Sequence, residues 1–113
     1  MQANLSVRLT PEPVRSLAAG SVGVGYTAIG TPLKNPAKIL LFQNGTDQSV
    51  MISFDGVNDH FPLFSGTFVL LDASTNRTDP AGSCTVAANT QFYAKQIGTP
   101  TTGSVYVSVF YGS

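Results

Sequence analysis

The chain reads as an all-β domain, a mostly antiparallel sandwich or small barrel of seven to eight strands with little or no helix. Three observations lead there. Several segments alternate apolar and polar residues with period two, the pattern of a half-buried strand. Clusters of Gly, Pro, Asn, Asp and Ser separate them at intervals of roughly ten residues. No window of about eleven residues places its apolar side chains at helical spacing.

Residues 1–16 form an N-terminal extended arm or edge strand. Leu5-Ser6-Val7-Arg8-Leu9 alternates, and Pro11 and Pro13 exclude a regular helix. An extended terminus of this kind can add to a neighbouring subunit's sheet. A strand of its own domain, or a partly disordered tail, fits the residues equally well. Residues 17–113 read as one β-sandwich domain. Leu17 to Gly20 is a helical turn at most. Ser21 to Gly30 puts Val22, Val24, Tyr26 and Ala28 on one parity, which predicts a strand, with Gly23 and Gly25 leaving bare backbone for a close neighbour. The glycines do not have phosphate-loop spacing, and no Lys-Ser/Thr follows them. Thr31 to Pro36 is a loop bracketed by prolines.

Lys38 to Phe54 is the stretch around which the other segments arrange themselves. Ile39–Phe42 and Val50–Phe54 flank the polar hinge Gln43–Gln48, and Asn44-Gly45 within it predicts a hairpin. Ile39 to Phe42 is apolar without alternation, as in a strand covered on both faces. Asp55 to Asp59 is a turn, and His60 to Phe64 a short edge strand because of Pro62. Thr67 to Asp72 is a further strand. Residues 73–89 read as a long loop with room for a short strand around Cys84 to Ala87. Thr90 to Gln96 is a strand, Gly98 to Gly103 a turn, and Ser104 to Tyr111 the clearest strand, with Val105, Val107 and Val109 on one face.

Only 11% of residues are charged, against roughly 25% in an ordinary domain. So few charges predict that other protein covers part of the surface. Six basic and six acidic residues are scattered singly. No patch is positioned to neutralise a row of phosphates, which argues against nucleic acid as a partner. A net charge near zero favours self-association. No stretch approaches the ~20 apolar residues of a bilayer span, and no basic-then-apolar leader is present, so the expectation is a chain made and folded in a cytosol, without a membrane partner.

Residues with chemical potential are few. His60 is the one histidine, with Asp55 and Asp59 close by, but no serine lies in a G-x-S-x-G turn. Asp55, Asn58 and Asp59 offer oxygens to a cation without the alternate-residue spacing or distal glutamate of a calcium loop; turn chemistry explains them as well. Glu12 is the one glutamate and sits between prolines. Cys84 has no basic neighbour to lower its pKa and reads as a small buried or half-buried residue. Asn44-Gly45-Thr46 and Asn76-Arg77-Thr78 match the glycosylation pattern, which carries no weight without a secretory signal. The phenylalanines and tyrosines fall within strand patterns and read as core and interface packing, and tryptophan, the usual sugar platform, is absent. These residues point to no catalytic, metal or cofactor site.

The run ILLFQNGTDQSVMISFDGVNDHFPLFSGTFVLLDASTN resembles small β-sandwich virion structural proteins of tailed bacteriophages. In them a strand ending in an N-x-T-D turn leads to a second strand, a D-G-x-x-D-H-F segment, a glycine, and an aspartate before Thr-Asn. GSVYVSVFYG looks like their closing strand, and the likeness spans roughly residues 22–111. Pro62 and Phe64 depart from the pattern, where leucine-proline is more usual before the glycine. The resemblance implies a non-enzymatic, homo-oligomeric component of the virion, made in the bacterial host's cytoplasm. Its partners would be itself and capsid, portal, or neck and tail proteins, with a neck or collar position favoured over capsid decoration (cement). The residues expected to make contacts are Leu5, Val7 and Leu9 of the arm and the loop Asn58-Asp59-His60. A carbohydrate- or receptor-binding module is the competing reading; it predicts aromatic side chains in a row on one exposed sheet face. A small hydrolase, the third, needs a clustered polar site.

Overall fold

In the computed structural model, which describes residues 9–72 and 86–112, two antiparallel sheets face one another as a sandwich. The strands are β1 (Leu9–Pro11), β2 (Arg15–Ala18), β3 (Thr27–Ala28), β4 (Ala37–Asn44), β5 (Val50–Ser53), β6 (Phe61–Leu63), β7 (Phe68–Asp72), β8 (Tyr93–Gln96) and β9 (Ser104–Gly112). One sheet runs β1-β9-β4-β7, with β2 also on β9; the other runs β3-β8-β5-β6. The longest strands, β4 and β9, pair in the centre of the first sheet, from Ile39 opposite Phe110 to Asn44 opposite Val105. No helix among the described residues is long and apolar enough to cross a membrane.

Period-two alternation places the core. Leu40 and Phe42 of β4 and Val105, Val107 and Val109 of β9 are buried on the inner face, against Val50 and Ile52 of β5 and Ala94 of β8. Phe42 is the hub. Its ring meets Phe92 and Phe61 edge-on, each at 5.3 Å between centroids, and Phe54 lies edge-on to Phe92 at 5.1 Å. Burying each such side chain contributes about 1.5–3 kcal/mol, and edge-to-face contact adds to it. On the outer face of β4, Ile39 and Leu41 are half-buried and Gln43 is exposed, so burial alternates where residue type does not.

The expected hairpin at Asn44-Gly45 does not form. β4 and β5 belong to different sheets, and Gln43–Gln48 carries the chain across the sandwich as an arch. Asn44 explains the outcome. Its amide, only 2% exposed, donates to the carbonyls of Gln48 and Leu63, both at 2.9 Å. Its Oδ1 accepts the Thr46 N–H at 2.9 Å and the Thr46 hydroxyl at 2.6 Å. A two-residue hairpin of the Asn-Gly type needs positive φ at both residues, and neither has it. The arch is closed from below by Gly103, at φ +83°, where a side chain would run into the Gly45 carbonyl.

Two further expectations change. The residues Leu17 to Gly20 divide between the end of β2 and a 3-10 turn over Ala19–Ser21. Of the strand expected over residues 21–30, only Thr27–Ala28 pairs, with Val24 left 84% exposed. No described atom comes within 4 Å of a Cβ built at Gly23 or Gly25, and the contact at Gly23 is a hydrogen bond from the Gln96 N–H to its carbonyl at 2.8 Å. Cys84 lies outside the described residues. Val86 forms a bridge with Ala37, next to the lane in which Asp72 of β7 opposes Ile39.

Candidate functional site

The loop between β5 and β6 is built on Asp55. Its Oδ1 accepts the backbone N–H groups of Val57 and Asn58, both at 2.8 Å, and the Ser53 hydroxyl at 2.9 Å. Its Oδ2 accepts the Asn58 amide at 2.8 Å. These bonds, the Asn58 N–H foremost, hold the Asp55 carboxyl far below the ordinary carboxylate range. Gly56, at φ +77°, lies on the Tyr93 ring, whose atoms would stand 3.1–3.3 Å from a Cβ there. The loop therefore folds back over the outer face of the four-stranded sheet, leaving Asn58, Asp59 and His60 exposed.

Asp59 accepts the Tyr26 hydroxyl and pairs with Lys95 Nζ at 3.0 Å. The same ammonium sits 4.8 Å from the centroid of the Tyr26 ring. The Tyr26 bond, then Lys95, holds the Asp59 carboxyl low. Burial and the Asp59 carboxylate together raise the Tyr26 phenol. His60 Nδ1 accepts the Phe54 N–H at 2.9 Å, so the neutral ring carries its proton on Nε2, 4.0 Å from Asp55 Oδ2. Ser53 is fully buried and donates to Asp55, so its hydroxyl is not presented to His60. Among the described residues no three His, Cys, Asp or Glu side chains converge as a metal set. The cluster is arranged to hold a loop shape and to present Asn58, Asp59 and Lys95 outward.

Leu5 and Val7 lie outside the described residues. Leu9 is exposed in β1, opposite Gly112, in the other sheet from the Asn58–His60 loop. Of the expected contact residues that are described, Leu9 and the Asn58–His60 loop thus belong to different sheets.

Reading the sequence alone missed two features. The first is a buried ion pair. Arg15 Nη2 donates to Glu12 Oε1 at 2.6 Å and to the Pro32 carbonyl at 3.0 Å, while Nε donates to the Thr31 carbonyl at 2.6 Å. Glu12 Oε2 accepts both the backbone N–H and the amide of Asn35. The clasp ties the chain between β1 and β2 to the loop before β4. Burial raises the Glu12 carboxyl, but Arg15 and Asn35 outweigh it and hold it below 4.5.

The second is an open flank. β7 ends one sheet and β6 the other, and between them Phe54, His60, Phe61 and Leu71 line an almost wholly apolar hollow of about 280 Å³. Phe64 is 59% exposed and Leu71, beside the hollow, 37%; Phe68 and Leu70, opposite Gln43 and Leu41, point to the outer face of their sheet and are 64% and 53% exposed. Edge strands are ordinarily protected by Lys, Pro or a bulge. β7 reads Phe-Val-Leu-Leu-Asp and has none of these. The strand was readable in the sequence, but its place in the sheet depends on pairing with β4, far away in the chain. No protein-family model matches the chain, and no curated protein or solved structure does.

Proposed function

We propose that this chain is a non-enzymatic structural protein of a tailed-phage virion, assembling in multiple copies at the neck, collar or head–tail region. The observation that carries the assembly part of the reading is β7, an edge strand among the described residues, with Phe68 and Leu70 exposed on its outer face and Leu71 beside an apolar hollow. Water is a poor neighbour for such a flank, and an isolated monomer that kept it bare would be prone to uncontrolled strand pairing. The low charge content fits the same picture. The virion part rests on the resemblance of residues 22–111, and capsid decoration is the alternative position on the particle.

Proteomic analysis of phage particles purified on a density gradient from the encoding host tests it. The expected result is co-migration of the chain with capsid and portal proteins, in a fixed ratio that survives high salt. A chain found only in the soluble fraction, in free form, would overturn the reading.

A further inference from the structure

We propose that the outer face of the first sheet carries a saccharide site, a cleft framed by Tyr106 and Phe68 with the Gln43 amide between them, and that its ligand is an uncharged glycan. The inference goes beyond the structural role and does not depend on it. Register sets the site. Gln43 of β4 opposes Phe68 of β7 on one side and Tyr106 of β9 on the other, and Tyr106 in turn opposes Ser16 of β2. One cross-strand row therefore reads hydroxyl, ring, amide, ring, and all four residues are exposed. The two rings stem from strands two spacings apart, about 10 Å. With Gly45, Gly66 and Thr67 they line a cleft of about 310 Å³, at the small end of the roughly 300–1,000 Å³ of ligand sites.

The lining specifies the ligand. An aromatic face is negative and attracts the weakly positive C–H groups on the flat side of a sugar ring. A glutamine amide both donates and accepts, as a sugar hydroxyl does. The Gln43 side chain makes no hydrogen bond to any described residue, so its amide is open to a ligand. No charged side chain lines the cleft, and an anionic or cationic ligand would find no counter-charge there. Gly45 lets the Tyr106 ring lie against the backbone: a Cβ there would stand 3.6 Å from the ring and 3.0 Å from the Ser104 carbonyl. The cleft is built entirely of described residues. The sheet runs out of them after Asp72, opposite Ile39, and before Leu9, opposite Gly112. Those points are about 13 Å from the cleft along β7 and about 20 Å along β9.

The test exposes an array of neutral and sialylated glycans to the fluorescently labelled full-length chain. The best neutral glycan is then titrated into isotope-labelled chain, and the amide NMR spectrum is read. Binding to neutral glycans is expected, with shifts concentrated at Gln43–Gly45, Gly66–Phe68, Tyr106 and the Gln43 side-chain amide. Phe68→Ala and Tyr106→Ala should each weaken binding about tenfold, while Tyr106→Phe, which keeps the ring, should retain it. Phe64→Ala, exposed but outside the cleft, should leave it unchanged. Thermal unfolding confirms that each variant folds. Failure to bind every neutral glycan on the array would overturn the proposal. So would shifts that map elsewhere, or binding that survives Phe68→Ala and Tyr106→Ala together. A preference for sialylated glycans would overturn it too, as would capture of octaproline in place of any glycan, which would make the rings a peptide groove. Association through the hollow beside Leu71, on the inner side of β7, leaves the cleft open. Particle proteomics involves no glycan, so the two proposals fail separately.

Discussion

Arg15 is nearly inaccessible, and its guanidinium makes bonds to Glu12, Thr31 and Pro32 that replace the water it has lost. A pair buried in this way is costly to break from one side, because the remaining charge has no solvent. Arg15→Met should lower unfolding free energy by about 3–5 kcal/mol in urea titrations, and adding Glu12→Leu should recover a good part of it. The pH dependence should also weaken. With Arg15 present, the Glu12 carboxyl titrates below 4.5, so its share of stability is present above that value and is lost as pH falls through the lowered one. Without Arg15, burial is opposed only by the bonds from Asn35 and Lys34, so the carboxyl rises and the loss of stability at low pH should shrink. An unchanged urea midpoint in Arg15→Met would show the clasp to be idle. Sequence alone could not find this pair: Glu12 and Arg15 are three residues apart, but the carbonyls that make the site habitable come from residues 31 and 32.

At the level of elements, strands such as β9 could be read directly because burial on one face forces a two-residue period on the side chains. How those strands connect could not. Asn-Gly between two apolar runs serves a tight hairpin well, but here the Asn44 side chain bridges carbonyls from two other segments and holds an arch. The deciding partner, Leu63, is 19 residues away, beyond any local signal. Asn44→Asp tests this directly, since a carboxylate keeps the shape and the acceptor but cannot donate to Gln48 and Leu63. The Leu63 carbonyl loses its amide donor while that of Gln48 keeps the Thr46 hydroxyl, which predicts a loss of roughly 1–3 kcal/mol. A variant as stable as the parent would mean that the arch is held by its other contacts. The Asn58–His60 loop follows the same rule in reverse. Its turn chemistry was evident from Asp55-Gly56, whereas its pinning by Tyr26 and Lys95 required the register of β3 on β8.

Over the whole molecule, the two sheets enclose a continuous aromatic and aliphatic core yet stay open on one side, where β6 and β7 end. The low charge content raised the expectation of covered surface; the pairing order shows which strands lie at the sheet edges among the described residues. Phe68 and Leu70, exposed on the outer face of β7, and Leu71 beside the hollow are the apolar surface on which the proposed association rests. Light scattering of the purified full-length chain across a wide concentration range is the most direct test of that association. A discrete mass that is a multiple of 11.8 kDa, persisting on dilution into the micromolar range, is the predicted result. A mass of 11.8 kDa at every concentration, with no aggregation, would contradict it.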